Sequence, residues 1–276
     1  YVLMKIAQVV CTYPPYRSGM GHVAYEYTQR LRLRGENVHI FTLQLSQSIE
    51  DPDYVHRLPP IIHVGNAGVL SSLYKRLSGF DIVHLHYPFF GGAEPVIVRK
   101  ALRHDQGLVL TYHMDNVAHG LRGAIFEANR RLLFPWLISR ADRILVSSED
   151  YLKHCSLQDV PRVLDRVEIH PFGVDLDRFH PGKDEPLRHE LNIPVLDPIV
   201  IFVGGLDAAH HFKGLSILLE ALSKLSHFPW TCVVVGSGAL KATYEAQAQQ
   251  YGIASRVRFV GDLSEEDLPR YYRLAN

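Results

Sequence analysis

Two doubly wound, Rossmann-like α/β domains are what this sequence predicts, on three observations. Short apolar runs rich in β-branched residues alternate with segments of helical periodicity along the whole chain. Several of those runs end in glycine-containing loops, where open parallel sheets hold their ligands. The length, 276 residues, is enough for two ordinary cores, expected over residues 1–185 and 186–276.

Val2–Val10 supplies the first strand, and the Pro- and Gly-rich stretch from Cys11 to Gly21 holds off a helix until after Gly21. In that helix Val23, Tyr27 and Leu31 form the expected buried stripe, Gly35 ends it, and Asn37–Leu43 is the next strand. Gly19 and Gly21 therefore sit where a βαβ unit binds ligands, or else serve only a tight turn. Phe80–His86 reads as a strand with His84 and His86 on one face. That spacing suits a metal, but no third ligand follows, so hydrogen-bonded histidines at a strand end are expected. Leu108–Tyr112 is a strand that runs into His113, Met114 and Asp115. Leu121–Arg140 is a basic amphipathic helix, kinked at Pro135, of a type that packs in a domain or lies on a membrane surface. Ala141–Ser148 is a strand, Ser148 caps a helix over Glu149–His154, and Val167–His170 closes the first domain.

In the second domain Ile199–Val203 is a strand broken by Gly204 and Gly205, and a helix starts at Gly214 with Leu218, Ala221, Leu222 and Leu225 on its apolar side. The unpaired N–H groups of that helix, with the Lys213 ammonium at its entrance, predict a phosphate site. Thr231–Val235 leads to Gly236-Ser237-Gly238, a helix covers Leu240–Tyr251, and Val257–Val260 leads to Gly261-Asp262-Leu263. Ser264 is expected to cap the last helix, with Glu265, Glu266 and Asp267 in its first turn.

Lys+Arg and Asp+Glu stand at 29 each, so no global field recruits nucleic acid. Cys11, Cys155 and Cys232 are isolated and odd in number, which argues for a reducing compartment, the cytoplasm, against a disulfide framework. No apolar stretch is long enough to span a bilayer, and the opening residues read as a strand and not as a signal peptide.

The pattern V-G-G-L at Val203–Leu206 followed by Lys213-Gly214 resembles the donor-domain opening of retaining glycosyltransferases of family 4, which have the GT-B fold. The T-Y-H at Thr111–His113, the A-D-x-x-x-x-x-S at Ala141–Ser148 and the P-F-G-V-D-L-D-R-F-H-P at Pro171–Pro181 match further segments in the same order, so the resemblance covers essentially the whole chain. It implies a nucleotide-diphosphate sugar, UDP- or GDP-linked, as donor, a carbohydrate or lipid-linked hydroxyl as acceptor, and no cofactor. The implied catalytic residues are His113, Lys213 and, beside them, Asp115. The implied donor-binding residues are Gly19, Gly21, Gly205, Lys213, Gly236 and Leu263. Two departures stand out: Ser18 replaces the first glycine of a P-x-x-G-G loop, and Gly205 replaces an arginine that would grip the diphosphate with Lys213, so that half of the clamp is missing or is supplied by another group such as His210 or His211. Asp175 and Asp177 form a D-x-D within the hinge signature and are expected to be structural, with no metal. An E-x7-E segment and further α/β units are not among the 276 residues, so the second domain is expected to be incomplete, with self-association at a bare strand edge. Peripheral membrane contact is expected through the N-terminal domain. A binding module without turnover and a nucleotide-sugar epimerase are the alternatives.

Overall fold

The computed structural model describes residues 3–16, 18–45, 50–116 and 120–275. It divides into two compact units, Tyr1–Phe172 and Gly173–Asn276. The boundary falls at 172/173 and not at the expected 185/186, because the intervening segment packs on the second unit. There the Arg178 guanidinium donates to the Glu265 carbonyl at 2.6 Å, Phe179 meets Tyr272 edge-on at 5.7 Å, and Arg270 pairs with Asp184 at 3.0 Å.

The first unit runs β1 (Lys5–Val9), α1 (Gly19–Leu33), β2 (Asn37–Leu43), β3 (Val55–Leu58), a hairpin of β4 (His63–Val64) and β5 (Ala67–Gly68), α2 (Leu73–Arg76), β6 (Ile82–Tyr87), α3 (Ala93–Leu102), β7 (Gly107–Tyr112), α4 (Gly120–Leu132), α5 (Phe134–Ile138), β8 (Arg143–Val146), α6 (Glu149–His154) and β9 (Val167–Ile169). Seven parallel strands pair in the order β3-β2-β1-β6-β7-β8-β9. The chain winds outward from β1 through β2 and β3, then restarts at β6 on the other side of β1. Such a reversal opens a crevice at the carboxyl ends of the two central strands.

Local chemistry shifts several expected boundaries. Val2, the expected start of the first strand, lies outside the described residues. Helix α1 begins at Gly19, three residues earlier than expected, because the Ser18 hydroxyl accepts the Gly21 N–H at 2.9 Å. Its buried stripe is Met20, Ala24 and Thr28, with Val23, Tyr27 and Leu31 only half-buried beside it. Small residues in that stripe let the helix approach the sheet closely. The helical stretch before β8 is two helices broken at Leu133, with Pro135 in the first turn of α5, where its missing N–H costs nothing. The side chains of Leu121, Arg122 and Ile125, part of the expected amphipathic pattern, lie outside the described residues.

The second unit contains α7 (Glu185–Glu190), β10 (Ile199–Val203), α8 (Leu215–Ser223), β11 (Thr231–Val235), α9 (Lys241–Gln250), β12 (Val257–Gly261) and α10 (Leu268–Leu274). Its parallel sheet has the order β10-β11-β12, with β11 buried throughout and the outer strands half-buried. One apolar cluster, around Leu219, Trp230 and Val234, covers one face, and a second, around Leu187, Val233 and Tyr271, covers the other. The buried residues of α8 are Leu215, Leu219 and Leu222, whereas Ala221 and Leu225 of the expected stripe are exposed. The last helix starts at Leu268, not at Ser264, whose hydroxyl instead accepts the Asp267 N–H at 3.0 Å and closes the preceding turn.

Candidate active site

In the first unit the carboxyl ends of β1, β6 and β7 bring together a polar ladder inside an otherwise apolar sheet. Gln8, His86 and Thr111 have no exposed surface, and His84 is 7% exposed. His86 Nε2 meets Gln8 Oε1 at 2.8 Å, and its Nδ1 meets His113 Nε2 at 2.9 Å. His84 Nε2 pairs with Thr111 Oγ1 at 2.7 Å. These bonds follow from sheet geometry: parallel pairing sets His86 beside Thr111 and His84 beside Gln8, and the period of two keeps both histidines on one face. The rings of Tyr27, His84, His86, His113 and Phe172 stack in succession at 5.6, 4.7, 5.2 and 5.2 Å. Burial is the main reason why the ladder stays neutral: His84 is pushed down to about 3 and His113 to about 4, and His86 well below its usual range.

The ladder has a polarity. With its amide oxygen toward His86, Gln8 accepts the Nε2 proton, so His86 Nδ1 is bare and receives the His113 Nε2 proton. His113 is then left with an unprotonated Nδ1, a hydrogen-bond acceptor at neutral pH. Its backbone N–H donates to the Tyr87 carbonyl at 2.9 Å, which fixes the residue at the end of β7.

Asp115 is placed differently. Its carboxylate accepts from the Tyr112 hydroxyl, from the Tyr151 hydroxyl at 3.3 Å and from the Ser156 N–H at 3.2 Å. Those three donors tie the end of β7 to α6 and the turn after it. Beside it Tyr87, Tyr112, Phe126, Asn129 and Phe134 border a small recess, in which the Tyr87 hydroxyl donates to Asn129 Oδ1 at 3.2 Å. Neither Gln8 nor Asn129 stood out in the sequence. For Gln8 the signal was there, an amide in the middle of an apolar strand.

Gly19 and Gly21 occupy the first turn of α1 and not a free loop. A Cβ at Gly21 would lie 2.6 Å from the Thr12 carbonyl oxygen, so glycine is required for packing. At Gly19 a Cβ would meet nothing within 4 Å, and the residue is exposed at the helix N-terminus. Its N–H is one of the unpaired groups that an anion can satisfy.

In the second unit the carboxyl ends of the three strands form one edge of interlocked backbone. Gly204 N–H donates to the Val235 carbonyl at 3.0 Å, Leu206 N–H to the Ser237 carbonyl at 2.8 Å, and Gly236 N–H to the Gly261 carbonyl at 2.8 Å. A Cβ at Gly236, where φ is +132°, would lie 2.0 Å from the Gly204 carbonyl oxygen, so only glycine fits. Lys213 is exposed, yet its side chain lies across Gly204: a Cβ there would be 2.7 Å from its Cδ. Gly214, at φ +80°, turns the chain into α8. Gly205 leaves room that His210 occupies, since a Cβ at Gly205 would be 2.7 Å from its Nδ1. Of the two histidines considered for the missing arginine, His210 is the one at Gly205. Asp207 holds its Nδ1 at 2.9 Å, whereas His211 Nδ1 bonds the Ala208 carbonyl at 2.8 Å. Leu263 packs into the core around Tyr271, so what it offers a ligand is its backbone. Asp175 accepts the N–H groups of Asp177 and Arg178 at 3.0 and 3.3 Å, as expected of a structural turn. Among the described residues no cluster of three His, Cys, Asp or Glu side chains fits a metal, and no helix is long and apolar enough to cross a membrane.

A family model described as Glycosyltransferase Family 4 matches residues 17–178, and one described as Glycosyl transferases group 1 matches residues 183–276. The chain is 28% identical over 275 residues to an O-antigen chain mannosyltransferase C of Escherichia coli, covering 96% of this chain and 69% of that protein. It is 33% identical over 235 residues to a D-inositol 3-phosphate glycosyltransferase of Mycobacterium sp. (strain JLS), covering 79% of this chain and 50% of that protein. Among solved structures, the catalytic domain of starch synthase IV from Arabidopsis thaliana, bound to ADP and acarbose, superposes with a TM-score of 0.69 at 14% identity, over 99% of this chain and 77% of that one. That likeness is one of fold, and it places both units in the GT-B class.

Proposed function

The chain belongs to glycosyltransferase family 4, and from that premise we propose that it supplies the acceptor-side domain and part of the donor-side domain of a retaining enzyme that moves a sugar from a nucleotide-diphosphate sugar to an acceptor hydroxyl. The observation that carries the reading is the second unit's interlocked glycine edge, with Lys213 laid across Gly204 at the entrance to α8. Backbone crowded to this degree excludes side chains; its Gly204, Leu206 and Gly236 N–H groups are paired within it, and the N–H groups at the start of α8 and one ammonium beside it are what a diphosphate would use. The ADP in the starch synthase structure agrees with that choice of ligand.

In this reading Lys213 and the N–H groups after Gly214 neutralise the departing diphosphate, with His210 in place of an arginine, while Gly205, Gly236 and the Leu263 backbone border the nucleotide, and Gly19 and Gly21 at the start of α1 are the first unit's donor-binding residues. His113, neutral and aimed by His86 and Gln8, accepts a hydroxyl of the sugar and so positions it. Asp115, occupied by three donors, holds β7 in place and takes no part in proton transfer. The acceptor is a carbohydrate or a lipid-linked hydroxyl, the second of which brings the first unit to a bilayer. Product analysis with UDP- and GDP-sugars tests the proposal: a glycoside that keeps the donor's anomeric configuration is expected. An isomerised nucleotide sugar would point to an epimerase, and tight diphosphate binding without product to a binding module.

A further inference from the structure

The loop after β10 ends in a short 3-10 segment, Ala208–Lys213, two of whose side chains fold back onto the glycine pair that closes the strand. Lys213 lies on Gly204, its Cδ 2.7 Å and its Nζ 3.4 Å from where a Cβ would stand. His210 lies on Gly205, with Nδ1, Cγ and Cε1 at 2.7, 3.1 and 3.2 Å from the corresponding point. A side chain at 205 would displace the ring, so glycine and histidine work as one unit: position 205 gives up its own side chain and receives an imidazole in the same space. Lys213 has no ion pair or hydrogen bond among the described residues.

Asp207 decides which nitrogen of that imidazole is free. Both of its carboxylate oxygens lie 2.9 Å from Nδ1, and Oδ1 also accepts the His210 backbone N–H at 3.2 Å. A carboxylate only accepts, so Nδ1 carries a proton and the state of Nε2 is left to whatever meets it. Nε2 has no partner among the described residues, and the side chain is 44% exposed, open to a ligand. The two ring nitrogens point apart, so an anion at Nε2 has the ring between itself and Asp207. Neutral, Nε2 presents a lone pair that repels a phosphate oxygen; protonated, it donates a charge-assisted hydrogen bond to one. Of the other titratable groups nearby, the Lys213 ammonium favours an anion and His211 is tied to the Ala208 carbonyl at 2.8 Å. The Gly236–Leu240 loop, which packs against the Asp207 backbone through Gly238, carries no charge, and after β12 Asp262 accepts the Ser237 hydroxyl at 2.5 Å.

We propose that His210 is the proton-loaded half of the diphosphate clamp: donor binding converts it to the imidazolium, Asp207 positions it, and Lys213 supplies the permanent charge beside it. This rests on the diphosphate site proposed above, and it gives that site a property that an arginine would not have, an affinity that follows pH in the neutral range. Calorimetry with UDP and GDP, in buffers of different ionisation enthalpy, counts the protons taken up on binding. At pH 7.5 the parent chain should take up roughly 0.5 to 1 proton more per ligand than His210→Gln, which keeps an N–H donor but cannot charge. Its advantage in affinity over that variant should shrink by roughly tenfold from pH 6 to pH 8. Asp207→Asn, which keeps an acceptor for Nδ1 without the charge, should lower the uptake. Gly205→Arg/His210→Ala, which exchanges imidazole for guanidinium in the same space, should bind with no extra uptake. Position 210 is exposed, so the circular dichroism melting curve of His210→Gln should match that of the parent chain. Equal proton counts in parent and His210→Gln would overturn the proposal and leave the diphosphate site standing. If neither the parent chain nor the arginine variant binds either nucleotide, the donor reading falls and the proposal falls with it.

Discussion

The two units approach the same kind of ligand chemistry with opposite materials. The first sets a buried ladder of neutral rings, Gln8 to His86 to His113, at the ends of its central strands. The second sets an exposed lysine and the start of α8 beside a half-buried to buried lattice of glycines around Gly204 and Gly236. A hydroxyl needs a directed acceptor held rigidly, which burial and a fixed tautomer provide. A diphosphate needs unpaired N–H groups and positive charge, which require close backbone approach and solvent access. In the proposed reading, difference in burial is difference in task.

The contrast is most easily broken at Gly236. Gly236→Ala puts a methyl group 2.0 Å from the Gly204 carbonyl oxygen at a φ of +132°. A loss of roughly 3 kcal/mol or more in the second unit is expected, with loss of diphosphate binding. Gly252, at φ +69° with open space around it, is the control, and alanine there should cost only about 1 kcal/mol. Urea unfolding followed through Trp230 reads both.

Acid should separate the units next. His39, His56, His84, His86 and His113 are all lowered from 6.5, chiefly by burial, and all lie in the first unit. Below the unfolded value the unfolded chain takes up protons that the folded unit refuses, so stability falls as pH drops from about 6.5 toward 4, by an amount on the order of a few kcal/mol. In the second unit Asp184 is lowered from 3.8 by Arg270, so its contribution is present above 3.8 and is lost only below that pH. With one tryptophan in each unit, Trp136 and Trp230, single Trp→Phe variants let fluorescence follow each unfolding separately. Equal midpoints at pH 5 would remove the distinction.

Lys213→Ala should weaken a nucleoside diphosphate by about 1.5 to 3 kcal/mol and the bare nucleoside hardly at all, as for a charge-assisted contact to phosphate. Calorimetry with both ligands decides, and equal losses would move Lys213 away from the phosphates.

The smallest effect is expected at the ladder. His113→Ala should lower transfer by about 1 kcal/mol of lost hydrogen bonding and leave nucleotide affinity nearly unchanged. Gln8→Leu removes the group that sets the tautomer. In imidazole ¹⁵N spectra it should shift the His113 proton off Nε2, which a merely structural role for Gln8 would not do.

What the sequence determined by itself is the local part. β2, β10 and β11 fall within the residues expected of them, because short runs dominated by β-branched and apolar residues mark the strands of a parallel sheet. The Ser148 cap of α6 and the Lys213-Gly214 entrance to α8 were equally legible, since a cap or a positive φ is a property of adjacent residues. Strand order and contacts distant in the chain are not. That Gln8 would meet His86, 78 positions away, depends on β6 returning to pair beside β1 and not beside β3. That Gly236 had to be glycine depends on its loop crossing the Gly204 backbone at van der Waals distance. The stripe of α1 was misplaced by one position, and that of α8 was right at Leu222 but not at Ala221 and Leu225, for a related reason: periodicity gives the width of an apolar face, while packing against a particular sheet decides which residues lie under its centre. The 173–184 segment, too, carries a hinge signature in sequence, and contacts distant in the chain, Arg178 with Glu265, Phe179 with Tyr272 and Asp184 with Arg270, assign it to the second unit.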